Sequence, residues 1–126
     1  MTKFQFLTQG KKKDVLELKF ANSPLILSFP HSGNMYPDDF NYNPALTFEQ
    51  IDFPADKYVD ELFGKVKTLD ASTLKANFPR TYVDVNRHQH DIDVAMIEGG
   101  ENWYGRLLPG SADVGATLFW SKSGEL

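Results

Sequence analysis

Short runs of alternating apolar residues at Phe4–Leu7 and Val15–Phe20 flank Gly10-Lys11-Lys12-Lys13, a pattern that predicts a leading β-hairpin within residues 1–22, with a solvated basic turn. Pro24-Leu25-Ile26-Leu27-Ser28-Phe29 is continuously apolar and bounded by proline on both sides, as in a central strand covered on both faces. The segment from Pro30 to about Asn43 is crowded with Pro, Asn and Asp, which predicts a loop. From Asp56, the spacing of Val59, Leu62, Phe63, Val66 and Leu69 by three and four residues predicts one apolar face of a helix, starting near Asp52 or Pro54. Ser72–Phe78 and Tyr82–Asn86 then read as strands broken at Pro79, and Thr117–Trp120 is strand-like. Residues 88–110 carry no defensible period and read as loop.

The strand–helix–strand order predicts an α/β class, with a mostly parallel or mixed sheet, flanking helices and a right-handed crossover. At 126 residues there is room for one ordinary domain. A chain with 41% hydrophobic and 24% charged residues can bury a core, which excludes wholesale disorder. Interspersed charges with a net of -4 give no broad basic face, so nucleic acid is not an expected partner. The start lacks a signal-peptide core, and no stretch approaches the roughly 18 apolar residues of a membrane span, which leads us to expect a cytoplasmic protein. With no cysteine, any metal falls to His, Asp and Glu.

Three places carry candidate chemistry. His31, in Phe29-Pro30-His31-Ser32-Gly33, directly follows the apolar strand, and open α/β sheets bind ligands at the carboxyl ends of strands. An imidazole there is equipped to ligate a metal or move a proton, although for a lone histidine a loop ring satisfied by a backbone carbonyl is the more ordinary reading. In Arg80-Thr81-Tyr82-Val83-Asp84-Val85-Asn86-Arg87, strand alternation puts Tyr82, Asp84 and Asn86 on one face. Buried polar groups need partners, and the two arginines offer planar forks suited to carboxylates. On a straight strand their Cα atoms would lie roughly 20 Å apart, so convergence needs a bend. Asp56 and Asp60 fall on one helix face, where capping and solubility account for them. The run His88-Gln89-His90-Asp91-Ile92-Asp93 has the composition of a metal cluster, but it reads more simply as a solvated loop.

Taken together, Pro24 to Gly33 with its Pro-His-Ser-Gly ending, the later Pro37, the Asp56 to Leu62 segment with Val59-Asp60, and Arg80 to Arg87 ending in Asp84-Val85-Asn86-Arg87 resemble the N-formylglutamate amidohydrolase family in order and spacing, over nearly the whole chain from Pro24. That family is distantly similar to the zinc carboxypeptidase and aspartoacylase hydrolases. The resemblance implies a phosphorylase/hydrolase-like (zinc-peptidase-like) fold, and the cleavage of N-formylglutamate to glutamate and formate in histidine degradation. It implies zinc or another divalent metal on His31, with Asp56 as candidate second ligand. Arg80 would polarise the scissile carbonyl, Asn86 and Arg87 would hold a substrate carboxylate, and Asp84 would orient the arginines.

The wider superfamily's His-x-x-Glu motif is not kept, since Asn34 stands three residues after His31. A third ligand and a general base are expected from the C-terminal half of the family's chain. On this reading residues 1–126 form the N-terminal portion of one larger domain, inactive alone, exposing an apolar sheet edge or face and open to self-association. A carboxylate-binding module without turnover, or an amidase for another N-acyl amino acid or a peptidoglycan fragment, remains compatible with the same residues.

Overall fold

The structure is a computed structural model that describes residues 6–7, 15–64, 70–102 and 114–121. Its strands are β1 (Phe6–Leu7), β2 (Leu16–Lys19), β3 (Ile26–Phe29), β4 (Tyr36–Pro37) and β5 (Ser72–Ala76). Two short helices, α1 (Phe48–Asp52) and α2 (Val59–Gly64), lie between β4 and β5, and single 3-10 turns follow at Val94–Met96 and Gly100–Asn102. No helix among the described residues is long and apolar enough to cross a membrane.

The main sheet has the order β2-β5-β3, with β5 antiparallel to β2 and parallel to β3. The α/β class therefore holds, as a mixed sheet. Among the described residues β1 pairs in parallel with β4 and β2 with β5, while most of the segment on which the leading hairpin is expected lies outside the described residues. The lysine turn at 10–13 lies outside the described residues.

Register explains which sheet face is covered. Leu16 lies opposite Ala76, Leu18 opposite Leu74, and Ile26 opposite Ser72, so one face is largely apolar. That face is open, with Leu18 and Ile26 more than half exposed. The other face presents Glu17, Lys75 and Phe29, and it takes α2, through a Phe29–Phe63 ring contact at 6.3 Å and a Lys75–Asp60 ion pair. The β3 segment is thus covered on one side only, contrary to the two-sided burial its apolar run suggests.

Helix α1 lies between the expected loop and the expected helix, in a stretch to which the sequence pattern assigns no element. Thr47 caps it, its hydroxyl accepting from the Gln50 N–H while the Gln50 side chain accepts from the Thr47 N–H. Helix α2 begins later than periodicity suggests because the chain reverses at Tyr58, which takes the left-handed φ of 64°. Residues Tyr82–Asn86 are turns, not a strand, and Thr117–Trp120 is a series of bends.

The buried core is aromatic and sits beside the sheet. Tyr36, 1% exposed, packs on Phe40 at 5.8 Å and edge-on to Phe48 at 5.4 Å, and Phe40 continues to Tyr82, which meets Phe78. Its hydroxyl donates to Asp52 Oδ1 at 2.7 Å, and Lys57 pairs with the other oxygen at 2.6 Å. Burial, then the bond to Asp52, pushes the Tyr36 hydroxyl well above its ordinary range.

Gly33 joins the loop after β3 to the loop after β5. A Cβ there would stand 2.3 Å from the Phe78 carbonyl oxygen and 2.4 Å from the Asn77 carbonyl carbon, so only glycine permits this approach. Beside it the Met35 N–H donates to Asn77 O at 2.9 Å.

Two stability experiments follow from this packing. Gly33→Ala is expected to lose about 1–3 kcal/mol or more in denaturant unfolding, because backbone must move aside. Tyr36→Phe is expected to cost about 1–2 kcal/mol near neutral pH. With the native hydroxyl harder to ionise than the unfolded one, Tyr36 adds stability that is fully present below pH 10.0 and lost as pH rises further. The Phe variant should therefore lose less stability than wild type above that pH, measured as Tm against pH.

Candidate functional site

The site forms where β3 and β5 end side by side. After Phe29 the chain turns through Pro30, which puts His31 at the carboxyl rim of the sheet, 5% exposed. The loop before α2 is fastened to it: Asp56 N–H donates to His31 O at 3.1 Å, and Ser32 Oγ donates to Asp56 O at 2.9 Å. After β5, Pro79 starts a turn closed by Tyr82 N–H to Pro79 O at 3.0 Å. A second turn follows, closed by Arg87 N–H to Asp84 O at 3.0 Å, with the Asn86 N–H donating to Asp84 Oδ1 at 3.0 Å.

These turns bring Asp84 to the centre, with no exposed surface. Its Oδ1 lies 2.8 Å from His31 Nε2. Its Oδ2 accepts from Arg80 Nε at 3.1 Å and Nη2 at 2.8 Å, a two-pronged pair, and from Trp120 Nε1 at 3.2 Å. Arg87 Nε stands 3.9 Å from the same oxygen. Burial works to raise the Asp84 carboxyl's pKa, but the bonds from His31, Arg80 and the Asn86 N–H outweigh it and hold the group well below the usual carboxylate range.

The second nitrogen of His31, Nδ1, lies 3.1 Å from Asp56 Oδ2, and the Asp56 side chain is about half exposed. A neutral imidazole donates at one nitrogen only. With its proton on Nε2 toward Asp84, the ring turns a lone pair at Nδ1 toward the Asp56 carboxylate. A nitrogen and a carboxylate oxygen at that separation suit two ligand positions of a divalent metal such as zinc, and a carboxylate holding the far side of a ligating histidine is the usual supporting contact. Among the described residues no group of three or more His, Cys, Asp or Glu side chains could hold a metal ion.

Of the residues singled out from sequence, His31, Asp56, Arg80, Asp84 and Arg87 come together, and the bend their separation demanded is supplied by turns. The side chain of Asn86 is exposed and only its backbone joins the cluster. Asp60 does not share a helix face with Asp56: Asp56 precedes α2, and Asp60 pairs with Lys75 on the sheet. His88 and His90 are exposed, and the His90 N–H donates to His88 Nδ1 at 3.1 Å, a local turn bond.

Trp120 is the member that sequence reading misses. Besides its bond to Asp84, its ring carries the Arg80 guanidinium at 4.8 Å. Its segment is positioned by backbone bonds from Asp84 N–H to Leu118 O at 2.8 Å and from Leu118 N–H to Asp91 O at 2.7 Å. Asp91, which falls in the run read from sequence as a solvated loop, departs from that reading. It is fully buried, and among the described residues neither of its side-chain oxygens has a hydrogen-bond partner.

No curated protein sequence gives a match. Among solved structures, the crystal structure of N-formylglutamate amidohydrolase from Ralstonia eutropha JMP134 is similar, with a TM-score of 0.72 and 36% identity over 86% of this chain. The alignment spans 39% of that chain, so the present sequence corresponds to well under half of its relative's length. The N-formylglutamate amidohydrolase family model matches residues 23–123, a span that contains β3, β5 and every residue of the cluster around Asp84. On these grounds the chain belongs to the N-formylglutamate amidohydrolase family.

Proposed function

We propose that the protein hydrolyses the amide of a small N-acyl acidic amino acid, with N-formylglutamate as substrate and formate and glutamate as products. The observation that carries this reading is the convergence of His31, Asp56, Arg80 and Arg87 around one buried carboxylate at the carboxyl rim of the sheet. In the reaction a water oxygen bonds to the acyl carbon, the C–N bond breaks, and a proton passes to the leaving nitrogen.

His31 Nδ1 and Asp56 would hold a zinc or other divalent ion, with His31 Nε2 kept on Asp84. When bound, such an ion supplies Lewis acidity and lowers the pKa of a water. Arg80 spends Nε and Nη2 on Asp84, while Nη1 makes only a long 3.5 Å bond to Pro54 O. That nitrogen is the donor free to turn toward an acyl oxygen as negative charge develops there. Arg87, whose Nε has only the long 3.9 Å ion pair to Asp84 and no hydrogen bond among the described residues, and the exposed amide of Asn86 are suited to a substrate carboxylate. Asp84 sets the planes of both arginines.

A second reading has its own support. Carboxylates stand at both nitrogens of His31, and a ring protonated at both would have no lone pair for a metal. The cluster would then bind a carboxylate without turnover.

The protein expressed from its own gene is expected to release formate from N-formylglutamate, and chelator treatment or His31→Ala should abolish release. Activity that survives complete metal removal would overturn the metal part of the mechanism. Calorimetric binding of glutamate derivatives with no formate release would favour the binding module. Steady-state kinetics should separate the arginines. Arg80→Lys is expected to lower kcat about 100-fold or more with little change in KM. Arg87→Ala is expected chiefly to raise KM, by roughly 10- to 100-fold.

A further inference from the structure

The grip of Arg80 on Asp84 leaves one freedom open. Its Nε and Nη2 both donate to Oδ2, at 3.1 and 2.8 Å, while Oδ1 is taken by His31 Nε2 and the Asn86 N–H. Two donors converging on one oxygen fix the direction of the guanidinium edge, whereas a fork spread over both oxygens would fix its plane as well. A guanidinium that pivots about Oδ2 carries its remaining nitrogen, Nη1, through an arc, and the 3.5 Å contact of Nη1 with Pro54 O is too long to stop it.

Trp120 supplies the missing constraint. The Arg80 guanidinium carbon lies over the indole, 4.8 Å from the ring centroid, and the indole Nε1–H donates to the same Oδ2 at 3.2 Å. Face and edge of one ring thus meet both members of a buried ion pair, in which the Arg80 side chain is 14% exposed and Asp84 has no exposed surface. A guanidinium over an aromatic face is attracted to it, and tilting away forfeits that contact. The ring is itself anchored on both sides. Leu118 O accepts from the Asp84 N–H at 2.8 Å, the Ser121 N–H donates to Gly115 O at 3.0 Å, and Ser121 Oγ donates to Asp93 Oδ2 at 3.1 Å. Trp120 also lines a cavity of about 660 Å³ with Phe40, Tyr82 and Ser121, so it stands where the ion pair borders open space.

We propose that Trp120 is a positioning residue for the amide hydrolysis: it holds the Arg80 guanidinium in the plane that turns Nη1 toward the acyl oxygen. The inference rests on the hydrolytic reading above, and it adds a side chain that acts through Arg80 and touches no reacting atom.

The test uses the protein expressed from its own gene. With N-formylglutamate, Trp120→Leu is expected to lower kcat roughly 10- to 100-fold while KM moves by less than about twofold, since an orienting contact is lost and no substrate contact is. Trp120→Phe keeps a ring against the guanidinium and should recover most of that loss, and it carries the test if the leucine variant fails to fold. Lysine has no plane to hold, so adding Trp120→Leu to Arg80→Lys should cost less than about threefold more, whereas a merely structural tryptophan would multiply its effect with that of Arg80→Lys. Nitrogen-15 NMR reads the contact without turnover. The Arg80 Nε–H signal, identified by its loss in Arg80→Lys, should lie upfield in the ring current of Trp120, and should return to the ordinary position in Trp120→Leu but not in Trp120→Phe. Unchanged kcat in both variants, a loss that falls on KM, full multiplication with Arg80→Lys, or an Arg80 signal indifferent to Trp120→Leu would each overturn the proposal, while formate release by the wild type would leave the hydrolytic reading intact. An Arg80 signal that moves as expected in a protein releasing no formate would fail the hydrolytic reading and sustain the hold of Trp120 on Arg80.

Discussion

Asp84 has no exposed surface and accepts hydrogen bonds on both oxygens, with partners from three separate parts of the chain: His31, the Arg80–Asn86 turns and Trp120. A carboxylate out of water is tolerable only when its lone pairs are filled, and here they are. Each partner is also held by something else. Arg80 lies on Trp120, His31 is fastened to the Asp56 loop, and the Trp120 segment is bonded through Leu118 to the Asp84 backbone. The position of every charged group in the site is therefore set by its distance from this one side chain. Pairing with Asp84 also leaves each partner a defined remaining edge: Nδ1 of the histidine, Nη1 of Arg80 and the near-free fork of Arg87.

The parts of this arrangement that were legible in the sequence are those governed by short-range pattern. Strands β3 and β5 and helix α2 between them follow from apolar runs and a 3.6-residue period, and His31 is found by its position after β3. The segment Tyr82–Asn86 misleads because Tyr-Val-Asp-Val-Asn has a strand's alternation. In the structure Asp84 accepts from the Asn86 N–H two residues on, and this aspartate turn chemistry prevails over the β-branched valines. The error concealed the answer to the sequence's own difficulty, since a strand keeps Arg80 and Arg87 apart and two turns bring both to Asp84.

Other features depend on partners distant in sequence. Trp120 looks like one more apolar residue in a strand-like run, and only its bond to Asp84, 36 residues away, shows its place. Within the described residues, β1 lies beside β4, a partner far along the chain that local alternation does not announce. The open apolar face of the main sheet shows that the described residues do not bury all the surface that their strands present.

The parallel pairing of β3 with β5 has a kinetic consequence. Ile26 meets Ser72 only after the chain between them, with α1, α2 and the Asp56 loop, has been gathered in, and the entropy of closing such a loop is met before any ladder bond forms. The capped turn of α1 needs no such wait. His31 sits just past one end of this ladder and Arg80 just past the other strand, so the cluster's order of assembly is fixed by topology: local turns first, the ladder next, and the charged centre when the two rims meet.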